Sequence, residues 1–140
     1  MIRGAFNVVM NEISRILTAL LSEFCGEYPE VRLAYLFGSH ARNQARPDSD
    51  VDVGIVVKGQ ADPLVDLRLA DRLSEAVRKP VDVVVLNRAS AILQHEAIRD
   101  GVRLFEASPM ERRFYELAAF KDYVDAVYFQ EQRVRRMAHG

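Results

Sequence analysis

From Phe6 to Phe24 apolar residues recur at three- and four-residue steps (Val9, Met10, Ile13, Leu17, Leu20, Leu21), the period of an amphipathic helix. Gly26 and Pro29 end it. The pattern then shortens. "VRLAYLF" (31–37) is rich in strand formers, and "GSHARNQA" (38–45) reads as a tight turn leading into a short helix. "VDVGIVV" (51–57) is a second strand. Asp62-Pro63 opens a helix, with a capping residue ahead of proline; Leu64, Leu67, Leu69, Leu73 and Val77 form its apolar side, and Pro80 stops it. A third strand covers "VDVVVLN" (81–87). Ser90 caps a helix that ends at Gly101, and "VRLFEA" (102–107) is a fourth strand. From Pro109 to about Met137 the chain reads as one long helix. No linker or repeat divides the sequence, so the pattern predicts one α/β domain over 1–140, with a core at about 31–107.

Composition changes this picture only a little. At 49% hydrophobic and 28% charged, a 140-residue chain buries its own core without staples. A net charge of −1 speaks against binding nucleic acid through overall positive charge, and no direct nucleic-acid contact is expected. Glu12 and Arg15 interrupt the first apolar helix well short of a membrane span. A single cysteine, Cys25, allows no internal disulfide and reads as a packing residue. Together these features point to the cytoplasm, with no membrane contact.

Two aspartates resist that simple account. Asp50 and Asp52 fall on a run that otherwise belongs inside, and side chains at i and i+2 of a strand share a face about 6–7 Å apart. Two carboxylates this close repel one another and lose solvation unless cations or strong donors lie between them. Oxygen-only donors suit a hard ion such as Mg²⁺. Asp82, embedded in "VDVVVL", joins the same face if strands 51–57 and 81–87 are neighbours. Upstream, Gly38 lets the backbone approach a ligand, and Ser39 and the start of the following helix offer donors to a phosphate. Each piece has a plainer reading: Gly-Ser as an ordinary turn, Asp-x-Asp as a solvated edge, Asp82 as a junction residue in water. In this order, on these elements, they describe a site for a nucleoside triphosphate and metal.

Gly38-Ser39, ten residues, then Asp50-Val51-Asp52 resembles the signature of the polymerase-beta-like nucleotidyltransferases. The length and "VDVVVL" resemble its minimal members, the MNT proteins, including the MntA-type antitoxins of HEPN/MNT toxin–antitoxin pairs. The resemblance implies a mixed β-sheet flanked by helices. It implies AMP transfer from ATP with Mg²⁺ to a hydroxyl, a tyrosine of a cognate HEPN toxin, with pyrophosphate leaving. Carried over, Asp50, Asp52 and Asp82 would bind metal and act in catalysis, Asp82 also assisting deprotonation of the acceptor. Gly38, Ser39 and Arg42 would hold the nucleotide. His40 and Asn43 stand where many relatives carry arginine and glycine, a departure that bears on nucleotide affinity. Two other readings stay open: an antitoxin that neutralises its toxin by binding alone, and a nucleotidyltransferase acting on a small molecule. Arg88–His95 and Arg133–His139 fit the loose R-x(4–6)-H pattern of HEPN ribonucleases, but those are wholly helical and this chain has several strands.

The last helix carries six of the chain's twelve aromatics between Phe114 and Phe129. Phe114, Leu117, Val124 and Tyr128 make one stripe, and Phe120, Val127 and Val134 another. One stripe is expected to pack on the sheet domain, and the other to meet a partner or a second copy, including the HEPN toxin of a hetero-oligomer.

Overall fold

The strands read at 31–37 and 51–57 form at those residues, β1 (Val31–Phe37) and β2 (Val51–Val57). The computed structural model describes residues 2–38 and 50–139, so the short helix expected within 38–45 lies outside the described residues. The remaining elements, in chain order, are α1 (Ile2–Glu27), α2 (Val65–Val77), β3 (Val81–Val85), α3 (Ala91–Asp100), β4 (Val102–Glu106) and α4 (Pro109–His139). The sheet order is β3-β2-β1-β4. β1 runs antiparallel to both its neighbours, whereas β2 and β3 are parallel, joined by the crossover through α2.

Both faces of this mixed sheet are covered, which is why β1 and β2 read as nearly continuous apolar runs. On one face Leu17, Leu21 and Phe24 of α1 and Leu69 and Leu73 of α2 pack on Val51, Val53 and Ile55. Phe24 stacks on Tyr28 at 4.4 Å between ring centroids, and the Arg72 guanidinium of α2 lies 5.2 Å over the same ring. On the other face Leu33, Tyr35, Phe37 and Val56 meet Leu86 and Ala97.

Three boundaries differ from the expectation. α2 starts at Val65 rather than beside Pro63, because the Asp62 carboxylate accepts from the Leu64 amide at 2.9 Å and pairs with Arg68, closing a turn ahead of the helix. β3 stops at Val85, and Leu86–Arg88 coil into a 3₁₀ turn that rolls Leu86 back onto the sheet. β4 ends one residue early, at Glu106. Ser90 does cap α3, accepting from the Leu93 amide at 3.1 Å.

The largest correction concerns α4. Neither apolar stripe seats the helix: Phe114, Leu117, Val124, Tyr128, Phe120 and Val134 are exposed, although Val127 is half-buried and the Phe120 ring lies 6.1 Å from that of His95. The packed face is a third one. Ala119 is buried, Tyr115 donates to Gln94 Oε1 at 2.7 Å, and Tyr123 stacks on His95 at 3.7 Å. Polar clamps complete the attachment. Arg32 forks onto both Glu111 oxygens at 2.8 and 2.7 Å, and Arg112 reaches Glu106 and Glu116. The Tyr35 hydroxyl donates to Glu116 at 2.8 Å. A small residue at the closest approach, flanked by directed hydrogen bonds, seats this helix without a broad apolar face. His95 thereby has a packing role.

These buried groups predict the alkaline limit of the fold. Burial, with Glu116 adding, raises the Tyr35 phenol well above its ordinary range; burial also raises Tyr115. Burial pushes the Cys25 thiol up to about 11. The unfolded chain releases these protons first, so their contribution to stability is complete at neutral pH and is lost as pH rises. Thermal midpoints should hold level to about pH 8.5 and then fall, beginning near the ordinary thiol value of 9.0 and steepening near about 10. Tyr35→Phe should flatten that decline, measured by circular dichroism melts across the pH series.

Candidate functional site

β2 is buried from Val53 to Val56, yet its second residue is a half-buried aspartate. The parallel register sets Asp52 directly beside Asp82, on one face of neighbouring strands whose backbones run about 4.8 Å apart. That face is the one carrying Leu33, Tyr35 and Leu86, on the side of α3 and α4. Asp82 is exposed, on a strand at the edge of the sheet. Asp50 is also exposed, one residue before β2 begins.

Two hydrogen bonds lock this end of the sheet. The Val51 amide donates to the Pro80 carbonyl at 3.0 Å, tying the starts of β2 and β3 together. The Val81 amide donates to Ser74 Oγ of α2 at 2.9 Å. Ser74 thus sets where β3 begins, and no sequence signal marked it, since a serine on a helix face is ordinary. Gly54 did carry a signal, being a glycine within a strand. A Cβ there would meet Leu86 Cγ at 2.8 Å, so Leu86 lies directly on the backbone two residues from Asp52.

Gly38 closes the other side. Its φ is +76°, a region that costs an L side chain about 1–2 kcal/mol, and a Cβ at this position would run into Oδ2 of Asp52. The β1–β2 register pairs Phe37 with Asp52, which brings the turn over the carboxylate. Gly38→Ala should therefore displace Asp52 and strain the turn together. The expected outcome is a loss of nucleotide transfer much larger than the modest fall in thermal midpoint, read by assay and melt on the same sample.

The structure thus brings together Gly38, Asp52 and Asp82, with Asp50 adjacent in sequence. Ser39 and Arg42, and the departures at His40 and Asn43, lie outside the described residues. Among the described residues no three His, Cys, Asp or Glu side chains are grouped to hold a metal ion. The donor set nevertheless fits a hard divalent cation. Two aligned carboxylates concentrate negative charge, and the missing side chain at Gly38 lets the Asp52 carboxylate sit against the turn. No helix among the described residues is long and apolar enough to cross a membrane.

Residues 20–110 match the family of polymerase beta nucleotidyltransferases. The protein adenylyltransferase MntA of Shewanella oneidensis is 31% identical over 77 residues, and the match spans only 55% of that relative's length and 55% of this chain. A Methanocaldococcus jannaschii protein provisionally named an adenylyltransferase is 34% identical over 94 residues, 66% of this chain and 95% of the relative. In fold, the chain resembles one in the structure of a tri-AMPylated Shewanella oneidensis HEPN toxin in complex with its MNT antitoxin. The TM-score is 0.67 at 20% identity, covering 91% of this chain and 99% of that one. The match to the family extends over all four strands of the sheet, Asp52 and Asp82 included, and the chain belongs to the polymerase beta nucleotidyltransferase family.

Proposed function

We propose that this chain transfers AMP from ATP, with Mg²⁺, to a tyrosine hydroxyl of a cognate HEPN toxin, and so acts as an antitoxin in the cytoplasm. The observation that carries the reading is the register of Asp52 on Asp82 beneath Gly38. Asp52 and Asp82, with Asp50, would hold the metal, which when bound supplies charge neutralisation to the triphosphate. Gly38, with Ser39 and Arg42, would hold the β- and γ-phosphates. Asp82, exposed at the sheet edge, is placed to accept the proton of the incoming hydroxyl. The acceptor oxygen bonds to the α-phosphorus, the α–β anhydride breaks, and pyrophosphate leaves. The names of the adenylyltransferase relatives and the toxin complex of the structural neighbour support the choice of nucleotide and acceptor.

The test is incubation with α-labelled ATP, Mg²⁺ and the product of the neighbouring gene, followed by peptide mass spectrometry. AMP mass on a tyrosine of that protein is the expected result. Neutralisation of the toxin without transfer, undiminished in Asp52→Ala, would establish binding alone. Transfer to a small hydroxyl compound but not to the protein would move the substrate class instead.

A further inference from the structure

Along the exposed side of α4, Leu117, Lys121, Val124, Tyr128, Glu131 and Arg135 follow one another at alternating four- and three-residue steps. This is the spacing of a coiled-coil seam, with Leu117, Val124 and Glu131 at d and Lys121, Tyr128 and Arg135 at a. At about 100° per residue the seam lies within about 60° of diametrically opposite Ala119, the buried residue by which α4 touches the domain. Leu117 is 68% exposed and Tyr128 57%. Lys121, Glu131 and Arg135 have no ion-pair partner among the described residues.

We infer that this seam pairs with α4 of a second copy of the chain, antiparallel, about a two-fold axis between Val124 and Tyr128. The charges select this occupant and this direction. In an antiparallel pair, a positions pack against d positions of the partner helix. With the axis there, Lys121 meets Glu131 of the other copy, Val124 meets Tyr128, and the aliphatic stem of Arg135 covers Leu117. Each relation occurs twice, so the seam complements itself and the lysine and glutamate neutralise one another. A parallel pair would stack Lys121 on Lys121, Glu131 on Glu131 and Arg135 on Arg135. A shift by one heptad would set Lys121 against Val124 and Glu131 against Phe114, burying both charges unpaired, which is costly. Charged pairs placed within a seam are a device that fixes register.

The inference is independent of the transfer reading, and its test needs neither nucleotide nor toxin. Size-exclusion chromatography with light scattering on the full chain should give twice the chain mass. Lys121→Glu and Glu131→Lys should each abolish the dimer, and the double variant, with the charges exchanged, should restore it. Because these side chains are exposed, the helical circular dichroism signal should stay unchanged throughout. A monomeric wild-type chain would overturn the proposal. So would a dimer indifferent to both single reversals, or one that the double variant fails to restore. Binding of a different helical protein to a monomeric chain through the same residues would likewise assign the seam elsewhere.

Discussion

Asp52→Asn should reduce nucleotidyl transfer by on the order of a hundred- to a thousandfold, the scale of losing one preorganised electrostatic contact at a reacting centre. The change removes one charge and keeps the shape. Asp52 is half-buried, beside Asp82 in the strand register and under the turn at Gly38. Any accompanying shift of the melting midpoint reports what the charge does for the fold rather than for transfer. Transfer and melting measured on one preparation separate the two effects. Undiminished transfer by Asp52→Asn would remove this residue from the mechanism, whatever the metal content.

Leu86→Ala should cost about 2–5 kcal/mol, the range for emptying a leucine site in a packed core. Leu86 is fully buried and rests on the glycine backbone of β2. Gly54→Ala should also destabilise, by about 1–3 kcal/mol, because its new methyl would meet Cγ, Cδ1 and Cδ2 of Leu86 at 2.8, 2.9 and 2.9 Å. The informative measurement is the double variant. With leucine shortened, the alanine methyl at 54 occupies space that Leu86 has vacated, so the combined loss should be smaller than the sum. Chemical denaturation of the four proteins closes this cycle, and strict additivity would show that the two residues do not compete for one volume.

The strands around the site were legible in the sequence because burial on both faces leaves a continuous run of β-formers, and glycine or proline bounds each one. Where the run continued past the strand, as at Leu86-Asn87, apolarity could not distinguish a sixth strand residue from a side chain turned back into the core. Asp62 read as a cap, because a carboxylate two residues before an amide resembles one at the helix start. The acidic pair and Asp82 were visible as anomalies, but that their two strands are neighbours was not. Asp82 reaches Asp52 only through the length of the α2 crossover and the Val51–Pro80 bond, neither of which has a local signature. In α4 the aromatic stripes were plain in the pattern, yet hydroxyls and one alanine chose the packed face. Bulk hydrophobicity does not carry that choice.

The place of Asp82 on β3 has a consequence for solubility. Among the described residues β3 is an edge strand with a free row of backbone groups, and its sequence apart from Asp82 is four valines. Such an edge invites pairing with another chain, and an exposed charge on it is a common safeguard. The charge at this position thus protects the edge whether or not the carboxylate also takes part in transfer. Replacement by valine would leave five consecutive β-branched residues along an open edge, a segment of the kind that nucleates cross-β aggregates.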